Sequence, residues 1–433
     1  MKVPKFLTEE NERTGRWWFV AGVVAVLAMA GLAVYQIPRG NWFFTGHYAC
    51  QFCDIKSRIS DVWNVRDGRV LYTFYPHKQY FTYPPAALFL FFPLTWAPKM
   101  LAIYLWNVVS IASYGGLIVI GWSWLRQSVS FRMVGISLVA ATAAVMVLPT
   151  MSILLSQGQT ASILALMVGL DALVLRGKRK GILTGIAAAF KIYPAFFIGF
   201  WVVRREWRPA LTALGSGAAT TVLAWALWPQ HSYRFFLERL TSGKEISHFH
   251  NNIHWRSSSA SPYSFFYRPP FHGGALGSTL GMMAVVAVAI LGMVVAVRLY
   301  RRGYELSAFV VGLMGSTLAA PVVWDHYFAW AVLLPLVAYE VGWRRPLGLA
   351  AITALVALFV PWGMARDENF SYVGFDVITV LLFFSRNALL FTTLAIMVIG
   401  WRTRPRELLR RSGGEPREDR DATPSGRDTG PHR

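Results

Sequence analysis

The chain has 433 residues, 55% hydrophobic and 15% aromatic, with a mean hydropathy of +0.41. Only 15% carry charge, against about 25% in soluble domains, which excludes a disordered chain and points to residues solvated by lipid. Lys and Arg number 42 against 22 Asp and Glu, a net charge of +20, but the basic residues lie in short runs between apolar segments. That pattern orients a membrane protein and does not mark a nucleic-acid binder.

Residues 1–16 read as a cytoplasmic N-terminus, with Lys2, Lys5, Arg13 and Arg16 among Glu9, Glu10 and Glu12. Segment 17–35 is apolar and long enough for a retained signal anchor, although Ala28-Met29-Ala30 mimics a cleavage site. Further apolar segments follow at 86–97, 101–125, 133–149, 153–175, 182–203, 209–228, 276–299, 306–321, 327–343, 347–362 and 377–401. The expected fold is all-α, a polytopic integral membrane protein of about 10–12 transmembrane or re-entrant helices over residues 17–401. Residues 402–433, rich in Arg, Glu, Asp, Gly and Pro, read as a disordered cytoplasmic tail.

The basic clusters at the N-terminus, Arg176 to Lys180, Arg204 to Arg208, Arg298 to Arg302, Arg344-Arg345 and the tail should all lie in the cytoplasm. Satisfying every one requires 182–203 to begin and end inside, broken at Lys191-Ile192-Tyr193-Pro194, and makes 86–97 a short dip bounded by prolines. If both cross fully, Arg176 to Lys180 falls outside. Either topology puts the loops 36–85 and 229–275 and the Trp324-Asp325-His326 turn on the outer face.

The two cysteines, Cys50 and Cys53, fit plain thiols, a small disulfide or a redox-sensitive clip. With His47 and Asp54 they also have zinc-like spacing. Asp54 opens a stretch with helical spacing that ends at a Gly68 turn, an amphipathic helix presenting a carboxylate near the headgroups. Asp61 and Asp67 read as helix-cap or surface acids. Lys191, in the middle of an apolar segment, must snorkel, pair with an acid or meet an anionic ligand such as a lipid phosphate. Gln157-Gly158-Gln159 puts two amides beside a backbone notch, suited to sugar hydroxyls or to gluing helices together. Asp325-His326, between Trp324 and Tyr327, has an interfacial setting suited to binding phosphate or shuttling protons. The loop with His248, His250, His254, Asn251, Asn252, Arg256 and Arg268 reads as a hydrated substrate loop rather than a metal site. No Walker loop, Rossmann glycine run or G-x-S-x-G motif occurs in the sequence.

Taken in order, Asp54-Ile55, Gly68, Tyr72, Tyr83-Pro84-Pro85, Gly158-Gln159, Lys191-x-Tyr193-Pro194 and Pro321-x-x-Trp324-Asp325-His326 resemble glycosyltransferase family 87 over about residues 17–401. The resemblance implies a GT-C-like membrane enzyme of the bacterial inner membrane, with its site on the outer face. It implies transfer of a sugar, mannose above all, from a polyprenyl phosphate to a hydroxyl of a lipid-anchored or extracytoplasmic glycan, with inversion. Under it Asp54 is the general base and His326 lies near the donor phosphate. Lys191, Tyr193, Gln157, Gln159, Asp325, Tyr83, Arg256 and Arg268 are substrate-binding residues, with no metal, cofactor or nucleic acid required. An arabinofuranosyltransferase of the same class and a lipid-linked sugar flippase are the alternatives.

Overall fold

The computed structural model describes residues 5–6, 12–39, 52–72, 81–126, 128–240, 261–266, 274–320, 322–357 and 377–405. It is an all-α, polytopic membrane protein. Its principal helices are α1 (Glu12–Gln36), α2 (Cys53–Arg66), α3 (Lys99–Arg126), α4 (Phe131–Val147), α5 (Pro149–Gln157), α6 (Ala161–Gly169), α7 (Ile182–Phe190), α8 (Phe196–Val203), α9 (Trp207–Leu227), α10 (Gly274–Arg301), α11 (Glu305–Leu318), α12 (Leu334–Val341), α13 (Pro346–Ala357) and α14 (Val377–Arg402). The strands among the described residues are short: β1 (Lys5–Phe6) pairs in parallel with β2 (Ser128–Val129), fastening the N-terminus to the α3–α4 turn.

Among the described residues, four helices are long and apolar enough to cross a membrane, the spans Arg13–Arg39, Lys99–Arg126, Trp207–Leu227 and Gly274–Arg301. At 1.5 Å per residue, even the 21-residue span reaches about 31 Å, the thickness of the hydrocarbon layer. Apart from α14, the remaining apolar helices among the described residues are shorter or broken, and the breaks carry the polar residues. α4 and α5 meet at a 90° bend, where Pro149 cannot donate to the preceding turn. Segment 153–175, expected as one span, is interrupted at Gly158, which is left-handed at φ 78° and ψ 48° and closes α5. α6 starts afresh at Ala161.

Segment 182–203 is a hairpin. Lys180 Nζ, just before α7, lies 3.0 Å from Glu206 Oε2, just after α8, whereas a straight helix of that length would hold its ends roughly 33 Å apart. The break falls where expected: Lys191 is extended at φ −156° and ψ 131°, and Pro194 prevents the α7 ladder from continuing. The apex is held by α11, whose Ser316 hydroxyl donates to the Tyr193 carbonyl at 2.6 Å.

Among the described residues, basic side chains gather at one end of the bundle. Arg126 lies over Trp122 and Tyr339, and Arg176 over Trp124. Arg204 stacks on Tyr300 at 3.2 Å, and Arg302 donates to the Trp401 carbonyl at 3.0 Å. At that end Glu340 of α12 accepts from the backbone N–H groups of Leu306 and Ser307 at 3.2 and 2.8 Å, capping α11 from a neighbouring helix. Elsewhere bare backbones bring helices together. A Cβ on Gly135 of α4 would lie 2.1 Å from the Trp18 carbonyl of α1, so this crossing tolerates no side chain.

Candidate active site

The notch at Gly158, the apex of the α7–α8 hairpin at Lys191 and the 3-10 turn Asp325–Tyr327 converge with the start of α2. Ile55, Arg58, Ile59 and Val62 are buried on its inner face, the spacing of an amphipathic helix laid against protein. Its entry is pinned by the Phe52 N–H, which donates to the Ser156 carbonyl of α5 at 2.7 Å. Ile55 then sits directly against Gly158: a Cβ there would lie 2.4 Å from the Ile55 Cβ. This close packing carries Asp54, in the first turn of α2, to the amide of Gln159.

Gln159 Nε2 donates to Asp54 Oδ2, and Gln159 Oε1 accepts from the Tyr83 hydroxyl at 3.2 Å. The glutamine therefore has one orientation, with its amide committed to the carboxylate and its oxygen to the phenol. Tyr83 is in turn held from behind, since the Tyr72 hydroxyl donates to its backbone carbonyl at 2.8 Å. Burial pushes the Asp54 carboxyl above the usual carboxylate range, opposed by Arg58, by the Gln159 hydrogen bond and by Lys191.

The apex of the α7–α8 hairpin supplies the cation. Lys191 Nζ lies 4.0 Å from the ring centre of Tyr327, 5.2 Å from that of Tyr83 and 5.8 Å from that of Tyr193. It makes no ion pair or hydrogen bond among the described residues, so the ammonium is stabilised by ring faces and stays available to an anion. Tyr193 and Tyr327 stack at 6.2 Å and 24°. His326 is 3% exposed, and its ring meets that of Tyr327 edge-on at 4.8 Å. Asp54 is linked to the same cluster through Gln159 and Tyr83, whose ring faces Lys191. A carboxylate, an ammonium, an imidazole and three phenols thus share one neighbourhood. Such a set can take a proton from a hydroxyl on one side and screen a phosphate on the other.

Of the residues singled out in the sequence, the structure brings Asp54, Tyr83, Gln159, Lys191, Tyr193 and His326 together. Gln157 borders the notch at the end of α5 but makes no hydrogen bond among the described residues, and its Oε1 is buried. Asp325 belongs to the 3-10 turn Asp325–Tyr327, while its side chain, Arg256, Arg268 and the three loop histidines lie outside the described residues. Cys53 is disulfide-bonded, its sulfur 3.8 Å from Asp54 Oδ1. Cys50 and His47 lie outside the described residues.

Two structural facts were not read from the sequence. Asp61 is not a surface acid: it is 8% exposed and pairs with Arg58 at 3.3 Å, because the face of α2 that carries it packs inward. Arg58 lies one helical turn beyond Asp54, over the rings of Phe81 and Tyr83 at 5.1 and 5.8 Å. The i, i+4 spacing from Asp54 was the available signal.

The model of glycosyltransferase family 87 matches residues 81–324, more than half of the chain. The chain belongs to glycosyltransferase family 87. The matched stretch contains Tyr83, Gln159, Lys191 and Tyr193, and it ends just before Asp325-His326. The family 87 chain is 26% identical over 354 residues to a polyprenol-phosphate-mannose-dependent alpha-(1-2)-phosphatidylinositol mannoside mannosyltransferase of Mycobacterium tuberculosis, covering 77% of this chain and 80% of that protein. It is 25% identical over 304 residues to a polyprenol-phosphate-mannose-dependent alpha-(1-2)-phosphatidylinositol pentamannoside mannosyltransferase of Mycolicibacterium smegmatis, covering 65% of this chain and 67% of that one. No solved structure matches this family 87 glycosyltransferase.

Proposed function

We propose that this glycosyltransferase moves mannose from a polyprenyl phosphate to a hydroxyl of a lipid-anchored mannoside, on the outer face of the membrane, with Asp54 as the general base. The observation that carries the reading is the chain of contacts that runs from Asp54 through Gln159 and Tyr83 to Lys191, and from Lys191 through Tyr327 to His326. The acceptor oxygen attacks the anomeric carbon as the bond from that carbon to the phosphate oxygen breaks, and the hydroxyl proton passes to the Asp54 carboxylate. The polyprenyl phosphate leaves as an anion screened by Lys191 and His326. In-line attack inverts the anomeric centre. The two named relatives use the same donor class and act on phosphatidylinositol mannosides, which favours mannose over arabinose. The outer-face placement is supported by the basic clusters, which lie at the other end of the bundle.

The test is to incubate membranes containing the protein with radiolabelled polyprenyl-phosphate mannose and, separately, with the arabinose donor. Label should enter lipid from the first alone, and equal incorporation from both would reject the assignment of the sugar. Lys191→Met should raise KM for the donor by about 10-fold or more, the worth of a charge-assisted contact. An unchanged donor KM would remove Lys191 from the phosphate site.

The acidity of the site gives a further expectation. A base works only when ionised, so activity falls as pH drops through the Asp54 pKa, and burial places that loss above the range of an ordinary carboxylate. Gln159→Leu removes a hydrogen bond that favours the charged form, and should move the acid limb of kcat/KM to still higher pH. A limb that stays in place in this variant would mean that another group is the one titrating.

A further inference from the structure

A cavity of about 510 Å³ lies apart from the cluster around Asp54, lined by Trp225, Pro229, Gln230, Tyr233 and Arg234. It sits where α9 ends, at the opposite end of that helix from Arg204 and Arg208. One wall is rigid, because the Trp225 ring stacks on Phe236 at 5.7 Å and 13°. Arg234 is half-buried in the wall, and its guanidinium makes no hydrogen bond or ion pair among the described residues. On either side of the lining residues in the chain, α9 and the turns that follow it expose Val222, Leu223, Leu227, Leu237 and Leu240. A guanidinium with no hydrogen bond or ion pair among the described residues and an amide, set between aromatic side chains and flanked in the chain by exposed aliphatic ones, match a ligand with an anionic head and hydrocarbon tails.

The cleft is also joined to the reacting centre. His231 Nδ1 accepts from the Leu71 N–H at 3.3 Å, and Phe235 packs on Tyr72 at 5.5 Å. Tyr72 holds Tyr83, and Tyr83 holds Gln159 on Asp54. We propose that the Trp225–Arg234 cleft anchors the phosphodiester of the lipid that carries the acceptor hydroxyl, with its acyl chains lying along α9. The inference rests on the transfer reaction above, in which Lys191 and His326 are already assigned to the donor phosphate, so this separate cation is left for the acceptor. Anchoring the lipid by its phosphate limits the positions its sugar can reach, which lowers the entropic cost of presenting a hydroxyl to Asp54.

The experiment uses the full chain in phosphatidylcholine nanodiscs doped with a phosphatidylinositol bearing a photoactivatable acyl chain, with labelled peptides mapped by mass spectrometry. Labelling of residues 222–237 should saturate and be competed by unlabelled phosphatidylinositol. It should fall about 10-fold in Arg234→Gln and be retained in Arg234→Lys. In transfer assays Arg234→Gln should raise KM for a phosphatidylinositol mannoside by a similar factor at little changed kcat. It should leave transfer to a phosphate-free alkyl mannoside unaffected. Equal labelling of Arg234→Gln would overturn the site. Equal competition by phosphatidylglycerol would overturn the acceptor in favour of anionic lipid at large, and an equal loss with the alkyl mannoside would reduce Arg234 to a structural role. Saturable labelling by a wild-type protein that transfers no mannose would leave the lipid site standing and remove the transferase reading instead.

Discussion

Asp54→Asn is expected to lower kcat for mannose transfer by roughly 10²–10⁴, the usual worth of a positioned general base, without unfolding the protein. Asparagine keeps the size of the side chain, and its carbonyl oxygen still accepts from Gln159 Nε2. It loses the ability to take a proton. The elution profile and thermal melt of the purified variant should therefore stay close to those of the parent, and KM for donor and acceptor should change little, because Lys191 and the phenol rings remain in place. The fall should appear in single-turnover rates with radiolabelled donor. A folded Asp54→Asn protein with near-normal turnover would end the role of Asp54 as base.

Gly158→Ala is expected to do nearly as much damage by a different route. Gly158 has φ 78°, a conformation that costs a residue with a Cβ about 1–2 kcal/mol, and its new methyl would be forced into Ile55, 2.4 Å away. Overpacking of this kind adds about 1–3 kcal/mol. The first turn of α2 is the part that can yield, and Asp54 rides on it. A shift of about 1 Å in a reacting group can cost 10²-fold. The variant should therefore lose both thermal stability and kcat, and Ile55→Gly in the same chain, which removes both the Cβ and the Cγ2 that the new methyl would meet, should restore part of the lost kcat. If the double variant were no better than Gly158→Ala alone, the contact would not be what positions the carboxylate.

The sequence made the membrane class and the existence of the special residues readable for one physical reason. In a chain this apolar, an ionisable or amide group is expensive enough to stand out, as Asp54, Lys191, His326 and the Gln157–Gln159 pair do. Pro194 likewise marked the break in 182–203, because proline acts on its own helix. Contacts between distant segments could not be read in this way. Nothing local to Gly158 says that Ile55 fills the space in front of it, and nothing in Asp61 says that its helix face turns inward to Arg58. Tyr327 illustrates the same limit: in the sequence it is one aromatic among many at an interface, whereas in the fold it is the ring on which Lys191, Tyr193 and His326 meet.

The hairpin of α7 and α8 has a consequence for how the protein is made. Its arms, nine and eight residues long, extend only about 12–14 Å each, so neither can settle across the bilayer during synthesis. The lysine at the apex opposes entry into hydrocarbon by several kcal/mol. Tyr83 is already made by then, but the nearest ring over the lysine and the hydrogen bond that holds the apex come from segments translated later, Tyr327 and Ser316. Biogenesis must therefore hold residues 182–203 near the membrane surface until the chain beyond Tyr327 has emerged from the ribosome. A nascent chain stalled short of that point would carry a lysine that lacks its nearest ring, a feature that quality-control proteases can recognise.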